Sequence, residues 1–270
     1  MSYVTLKRVE PMSLAKIEAV LGAIIGFIVG ILLWGVLGVA GNFYPMVAAV
    51  SSLGVFLPIL GIILGAVIGF IANYIQAFVY NWLAKVIGGL KINLNAAAGK
   101  MSSLDTVGVQ SAGKILAGLL LIMAAIIAVV VLVVLAAIGL PISAGTLVLV
   151  LIVGGIAVLV FGFVIGLVYS AIYNLVAHKI GGIKIMLSGK GTSVLQRIEP
   201  MQYAKVLAVL EAVFSFISGI FALFVGGSII GHLIIAPIAQ AVFGFIFGYI
   251  FALLYNYIAR KIGGVKVTLA

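Results

Sequence analysis

Tyr80-Asn81-Trp82-Leu83-Ala84-Lys85-Val86-Ile87-Gly88-Gly89-Leu90-Lys91-Ile92-Asn93-Leu94 decides the fold, because the chain writes this pattern three times. Tyr173-Asn174 runs through Gly181-Gly182-Ile183-Lys184 to Leu187, and Tyr255-Asn256 runs through Gly263-Gly264-Val265-Lys266 to Leu269. Each copy reads Y-N-x-x-A-x-x-I-G-G-x-K-x-x-L without a gap. Fifteen-residue agreement across three copies marks internal triplication. The three units fall at 1–95, 100–188 and 192–270.

The residues before each closing pattern are apolar. Six hydrophobic runs lie near 13–39, 57–86, 113–138, 146–178, 203–225 and 233–260, two in each unit. About 20 apolar residues span a bilayer, so each run suffices for a transmembrane helix. The second, fourth and sixth runs approach 30 residues, about 45 Å of helix, and must tilt or project beyond the hydrocarbon. Gly41-Asn42-Phe43-Tyr44-Pro45, Gly139-Leu140-Pro141-Ile142-Ser143 and Gly226-Gly227-Ser228 separate the two runs within each unit. The first run is too long for a signal-peptide core and is expected to be retained.

Composition agrees. The 270 residues are 66% hydrophobic and 7% charged, far from the quarter charged of a soluble domain. Without cysteine there is no disulfide scaffold. Fifteen Lys and Arg oppose five Asp and Glu, a net charge of +10. With six spans, every cation falls on the side holding both termini and the two loops between units; the other three loops carry no Lys, Arg, Asp or Glu. The positive-inside rule puts both termini in the cytoplasm, and anionic lipid headgroups become the expected partner. Nucleic acid is not expected, since the cations lie at membrane entrances and do not cluster.

Each unit also opens alike. Leu6-Lys7-Arg8-Val9-Glu10-Pro11-Met12-Ser13-Leu14-Ala15-Lys16 matches Leu195-Gln196-Arg197-Ile198-Glu199-Pro200-Met201-Gln202-Tyr203-Ala204-Lys205. The middle copy keeps Leu104, Val107, Ser111, Lys114 and Ile115 but has Gly108-Val109 in place of Glu-Pro. Pro11 and Pro200 suit a first helical turn, and Glu10 and Glu199 face the positive end of the helix dipole. Gly88-Gly89, Gly181-Gly182 and Gly263-Gly264 suit helix termination. Val4–Val9, Lys91–Leu94, Lys184–Leu187 and Val265–Leu269 alternate apolar with polar residues, as short strands do. The opening segments run toward the membrane and the closing segments away from it, which predicts antiparallel pairing in a cytoplasmic β-layer of up to six strands. Fold class is therefore an all-α polytopic membrane protein of three tandem hairpins with pseudo-threefold repetition, plus flanking strands.

The opening Glu10-Pro11-Met12-Ser13-Leu14-Ala15-Lys16 and closing Tyr80-Asn81 to Gly88-Gly89-Leu90-Lys91 resemble a prokaryotic transmembrane family of unknown function best known from actinobacteria. A single hairpin in that family is opened by V-D-P-W-S-x-x-K and closed by L-Y-N-x-x-A-x-x-x-G-G-x-x-V-x-L. The resemblance covers the ends of each unit, about a third of the chain. Here Glu replaces Asp, Met replaces Trp and three units are fused. It implies a prokaryotic cell membrane and a hairpin fold, and no mechanism.

Small residues form stripes suited to helix packing in lipid: Gly22, Gly26 and Gly30 on the first helix, and Gly61, Gly65, Gly69 and Asn73 on the second. In repeat register Glu211 takes the place of Gly22 and Gln240 that of Gly65. An intramembrane carboxylate is a candidate functional group, so Glu211 reads either as paired with a nearby Lys or as an ion or proton site. Asn73 and Gln240 are expected to bond between helices. His232 reads as an interface residue on the far side, with a sensor role as the alternative. Tyr80, Tyr173 and Tyr255, with Trp82, are expected in an aromatic belt.

No catalytic residue, metal or cofactor is expected: cysteine is absent, histidines are unpaired and neither a phosphate loop nor G-x-S-x-G occurs. The expected function is a non-enzymatic structural, scaffold or accessory subunit that self-associates or docks a membrane partner. The alternative is an ion or proton channel or transporter with its path between the hairpins. Glu211, Asn73 and Gln240 occur once each, whereas pores carry rings of equivalent polar groups, which favours the structural class.

Overall fold

A computed structural model describes residues 3–43, 54, 56–97, 100–139, 143–189 and 191–270. Along it the order β-α-α-β occurs three times. The first unit holds β1 (Val4–Val9), α1 (Pro11–Gly41), α2 (Phe56–Val86) and β2 (Leu90–Ala96). The second holds β3 (Ser102–Val107), α3 (Val109–Ala137), α4 (Gly155–Ile180) and β4 (Ile183–Ser188). The third holds β5 (Thr192–Ile198), α5 (Pro200–Leu223), α6 (Ala236–Ile262) and β6 (Val265–Leu269). Short π-helical turns, Leu149–Gly154 and Gly231–Ile235, lead into α4 and α6. Tyr44, Pro45 and the Leu140–Ile142 part of the second separator lie outside the described residues.

Six helical spans are long and apolar enough to cross a membrane. The most apolar 18 residues of Val109–Ala137 reach a mean hydropathy of 3.5, yet none of that window is buried inside the protein. Water would not tolerate such a surface, and lipid would. The protein is thus an integral membrane protein by its helices.

The strands go beyond the all-α class with flanking strands that the sequence suggests. They close into a barrel, β1-β2-β3-β4-β5-β6 and back to β1, with every neighbour antiparallel. Pairs within a unit (β1 with β2, β3 with β4, β5 with β6) run in simple register, as in Val4 opposite Ile92 and Leu6 opposite Leu90. Pairs between units each skip one residue. Leu6 faces Leu269 and Arg8 faces Thr268, so Lys7 is the extra residue. Asp105 and Gln196 are skipped in the same way against β2 and β4. A bulge bends its strand and increases local twist. Three bulges, one per unit seam, give these short strands the curvature that closure needs.

Above the barrel the helices form a ring. Within each unit the two helices pack along their length, and the first helix of each unit also touches the second helix of the unit before it. The buried core sits at this helix–barrel junction in three equivalent clusters. Ile17 and Leu21 pack on Tyr255 and Ile258. Val206 and Leu210 pack on Tyr173 and Val176, and Ile115 on Tyr80 and Leu83.

Unit 1 brings its helices closest. A Cβ on Gly26 would overlap the carbonyl of Gly61, and one on Gly22 that of Gly65. Such backbone contact replaces the hydrophobic drive that lipid cannot supply. Gly26→Ala is therefore expected to destabilise the hairpin by about 1–3 kcal/mol, the usual cost of overpacking. Gly35→Ala, with no atom within 4 Å of its Cβ, is the control and should leave stability unchanged or slightly raised. Unfolding in a graded detergent titration separates the two.

Candidate functional site

The site is the collar where helices meet barrel, and the tripled motif builds it. Tyr255 and Asn256 project from α6 onto β5. The Asn256 Oδ1 accepts from the Ile198 N–H at 2.8 Å, and its Nδ2 donates to the Ile198 carbonyl at 2.8 Å. An amide presents the same donor and acceptor as a peptide, so the side chain serves the strand as another strand would. Asn81 does this to Val9 (2.8 and 2.7 Å), and Asn174 to Val107 (2.7 and 2.8 Å). One residue earlier, the Tyr255 hydroxyl donates to the Leu195 carbonyl at 2.6 Å and accepts from the Val265 N–H at 3.3 Å. Tyr80 bridges Leu6 and Leu90, and Tyr173 bridges Leu104 and Ile183, in the same manner. Each tyrosine thereby links the opening and closing strands of its unit. All three are buried, at 6%, 6% and 3% exposure, which corrects the aromatic-belt expectation. Trp82, at 53%, does face outward.

The paired glycines divide two tasks. Gly88, Gly181 and Gly263 hold φ of +86°, +86° and +87°, where a side chain is strained. Gly89, Gly182 and Gly264 stand against the carbonyls of Leu6, Leu104 and Leu195, leaving no room for a Cβ. Those carbonyls are the ones the tyrosines bind.

A second set of contacts closes the seams between units. The backbone N–H of Glu10, Gly108 and Glu199 donates to the carbonyl of Lys266, Lys91 and Lys184, all at 2.8–2.9 Å. Ser13 accepts from the Lys266 N–H at 3.0 Å, and Ser111 from the Lys91 N–H at 3.0 Å. Gln202 replaces serine in unit 3 and donates to the carbonyls of Ile180 and Gly181. Pro11 and Pro200 open their helices as expected. The two glutamates differ: Glu199 caps its helix, accepting from the Gln202 N–H at 2.5 Å, whereas Glu10 makes no cap bond and pairs with Lys266 at 3.4 Å. That ion pair is half exposed and contributes at most about 1 kcal/mol. Lys16, Lys114 and Lys205 are exposed between buried neighbours, an outward ring of like charge.

Comparison with known protein families, curated proteins and solved structures finds no match to this chain. Its chemistry is therefore read from its own geometry.

The intramembrane polar residues do not converge. Asn73 donates to the Gly69 carbonyl of its own helix at 2.9 Å, and Gln240 is exposed, so neither makes the expected bond between helices. Glu211 lies in the seam of its own hairpin, its Cγ against Gly244. No Lys or Arg pairs with it among the described residues. Between units 2 and 3 the helix ring borders an open cleft of about 450 Å³, lined by Ile115, Leu119, Tyr169, Tyr203, Val206 and Leu210 among others. Its hydroxyls are partly spoken for: Tyr173 binds Leu104, and Ser170 donates to Gly166 at 2.7 Å. What remains is an open apolar cleft.

Sequence reading missed the seam roles of Ser13 and Gln202. It also missed Asn93, 1% exposed on β2, where the other units have Met186 and Thr268. Ser13 and Ser111 share a register position, which was the available signal; Gln202 and Asn93 have no counterpart and carried none.

Proposed function

We propose that this chain is a non-enzymatic membrane scaffold or accessory subunit, with its barrel and both termini in the cytoplasm. The observation that carries the reading is the fate of the shared residues. Tyrosine, asparagine and paired glycines of every unit are all engaged in fixing helix to strand, which leaves them no chemistry to perform on a substrate. Three hairpins held at fixed angles around a rigid barrel make a platform whose outer faces are free for protein contacts in the membrane. The resemblance to the actinobacterial hairpin family supports the membrane setting and adds no activity. The one-sided cations support the orientation.

Mild extraction from native membranes is expected to yield an assembly of defined stoichiometry, well above the 28.0 kDa of one chain. Recovery as a lone monomer would count against the proposal.

A conducting role is the second reading, and Glu211 favours it, being an unpaired carboxylate among the described residues in a membrane span. The apolar cleft and the absence of a threefold polar ring among the described residues argue the other way. Reconstituted protein is expected to pass neither protons nor ions. Flux that disappears in Glu211→Gln would replace the scaffold with a path.

A further inference from the structure

We propose that the groove at the root of the third hairpin binds the phosphodiester headgroup of an anionic phospholipid. The proposal rests on the membrane reading above and not on the scaffold role. The groove measures about 680 Å³, and Arg197, Arg260, Gln196, Met186, Leu253 and Gly263 are among its walls. Arg197 is the exposed neighbour of buried Ile198 on β5, so it points away from the barrel core. Asn256 clamps Ile198, which brings the last turn of α6 onto the end of β5. Arg260 lies one turn beyond, its Nε donating to the Asn256 carbonyl at 3.2 Å. One motif residue therefore holds both arginines at the same groove.

No Asp or Glu lines that groove. The nearest acid in sequence, Glu199, is engaged at the start of α5. Two guanidinium groups facing one space repel each other unless an anion lies between them, and paired guanidiniums suit a phosphate better than lysines do. The walls then change character. Leu253, two turns back along α6 toward the hydrocarbon, is 46% exposed and continues the groove as an apolar track. Charge at the interface and hydrocarbon beyond it match a lipid, whereas a free anion would leave the track unused. Gly263, with φ +87° and nothing within 4 Å of its Cβ position, keeps the mouth open.

The other units carry the arginine pair in graded form. In repeat register Arg197 and Arg260 become Arg8 and Lys85 in unit 1, and Thr106 and His178 in unit 2. Arg8 also shares a smaller recess, about 250 Å³, with the Glu10 carboxylate. Unit 3 is thus the strong site, unit 1 a weaker one and unit 2 is silent.

Native mass spectrometry of the purified full chain, offered phosphatidylglycerol or phosphatidylcholine in matched micelles, tests the assignment. The wild-type chain should retain one phosphatidylglycerol far longer than phosphatidylcholine. Arg197→Gln with Arg260→Gln should weaken that retention on the order of tenfold or more, since each charge-assisted contact contributes more than a tenfold step. Lys16→Gln with Lys205→Gln removes the same charge from the outward lysine ring and should change it less than about twofold, within the range of exposed charges. Arg197→Lys with Arg260→Lys should recover part of the binding, which a folding defect would not allow. Equal loss in the two glutamine variants, or equal retention of both lipids, overturns the proposal. Displacement by millimolar inorganic phosphate would instead assign the groove to a free anion and also overturn it. Alkaline extraction of membranes tests the membrane reading separately: release of the chain would sink that reading, whatever the lipid result.

Discussion

Gly264→Ala is expected to leave little folded protein in detergent. Its Cβ would overlap the Leu195 carbonyl oxygen and lie 3.2 Å from a Val194 methyl. In an open sheet the edge could move aside. Here Leu195 is paired with Leu187 on one side and Val265 on the other, so a shift of β5 disturbs two ladders. The same carbonyl accepts the Tyr255 hydroxyl, and that bond goes too. Overpacking and a broken buried hydrogen bond together predict a loss of about 3 kcal/mol or more. Gly263→Ala, one residue earlier, forces alanine to φ +87° and ψ 150° but meets no neighbour, and should cost about 1–3 kcal/mol. Thermal unfolding of the two variants side by side checks the ranking; a milder Gly264→Ala would show that the barrel yields where closure says it cannot.

Asn256→Ala should come close behind. It leaves the N–H and carbonyl of Ile198, a residue only 7% exposed, without partners. Two stranded backbone groups cost about 1–3 kcal/mol each, so a loss of about 2–6 kcal/mol is expected. Asn256→Asp tests the cause. The carboxylate still accepts from the N–H but cannot donate to the carbonyl, so it should destabilise despite equal size. Hydrogen exchange at the Ile198 amide should rise most in the alanine variant. Near-wild-type stability in both variants would mean that the clamp is ornamental.

Much of this was readable in the chain. Tyr-Asn and Gly-Gly announced the triplication because each fills a post that no other residue fills equally well. The helix spans follow from uninterrupted apolar length, and the opposed directions of opening and closing segments predicted antiparallel pairing. Closure was hidden for two reasons. Half of the strand pairs cross between units, and a strand's local pattern does not say whether its second edge is used. The bulges that bend the barrel fall on one register position, Lys7, Asp105 and Gln196, whose polar side chains differ in charge and do not by themselves announce a bulge, because a bulge is a backbone event. Tyr80, Tyr173 and Tyr255 misled for the opposite reason: a tyrosine at a helix end is equally at home in a lipid interface or under a strand. The polar residues misled too. Asn73 bonds its own helix, which helix spacing permits as readily as a bond to a neighbour.

The seam between β6 and β1 sets a schedule for biosynthesis. Thr5 and Ala270 exchange backbone hydrogen bonds, joining residues 265 positions apart (270 − 5). Translation delivers β1 first and its second partner last, so β1 keeps one bare edge while all six helices are inserted. Contacts at such separation are slow to form, and exposed strand edges recruit wrong partners. Nascent chains stalled before residue 265 should therefore be the aggregation-prone species.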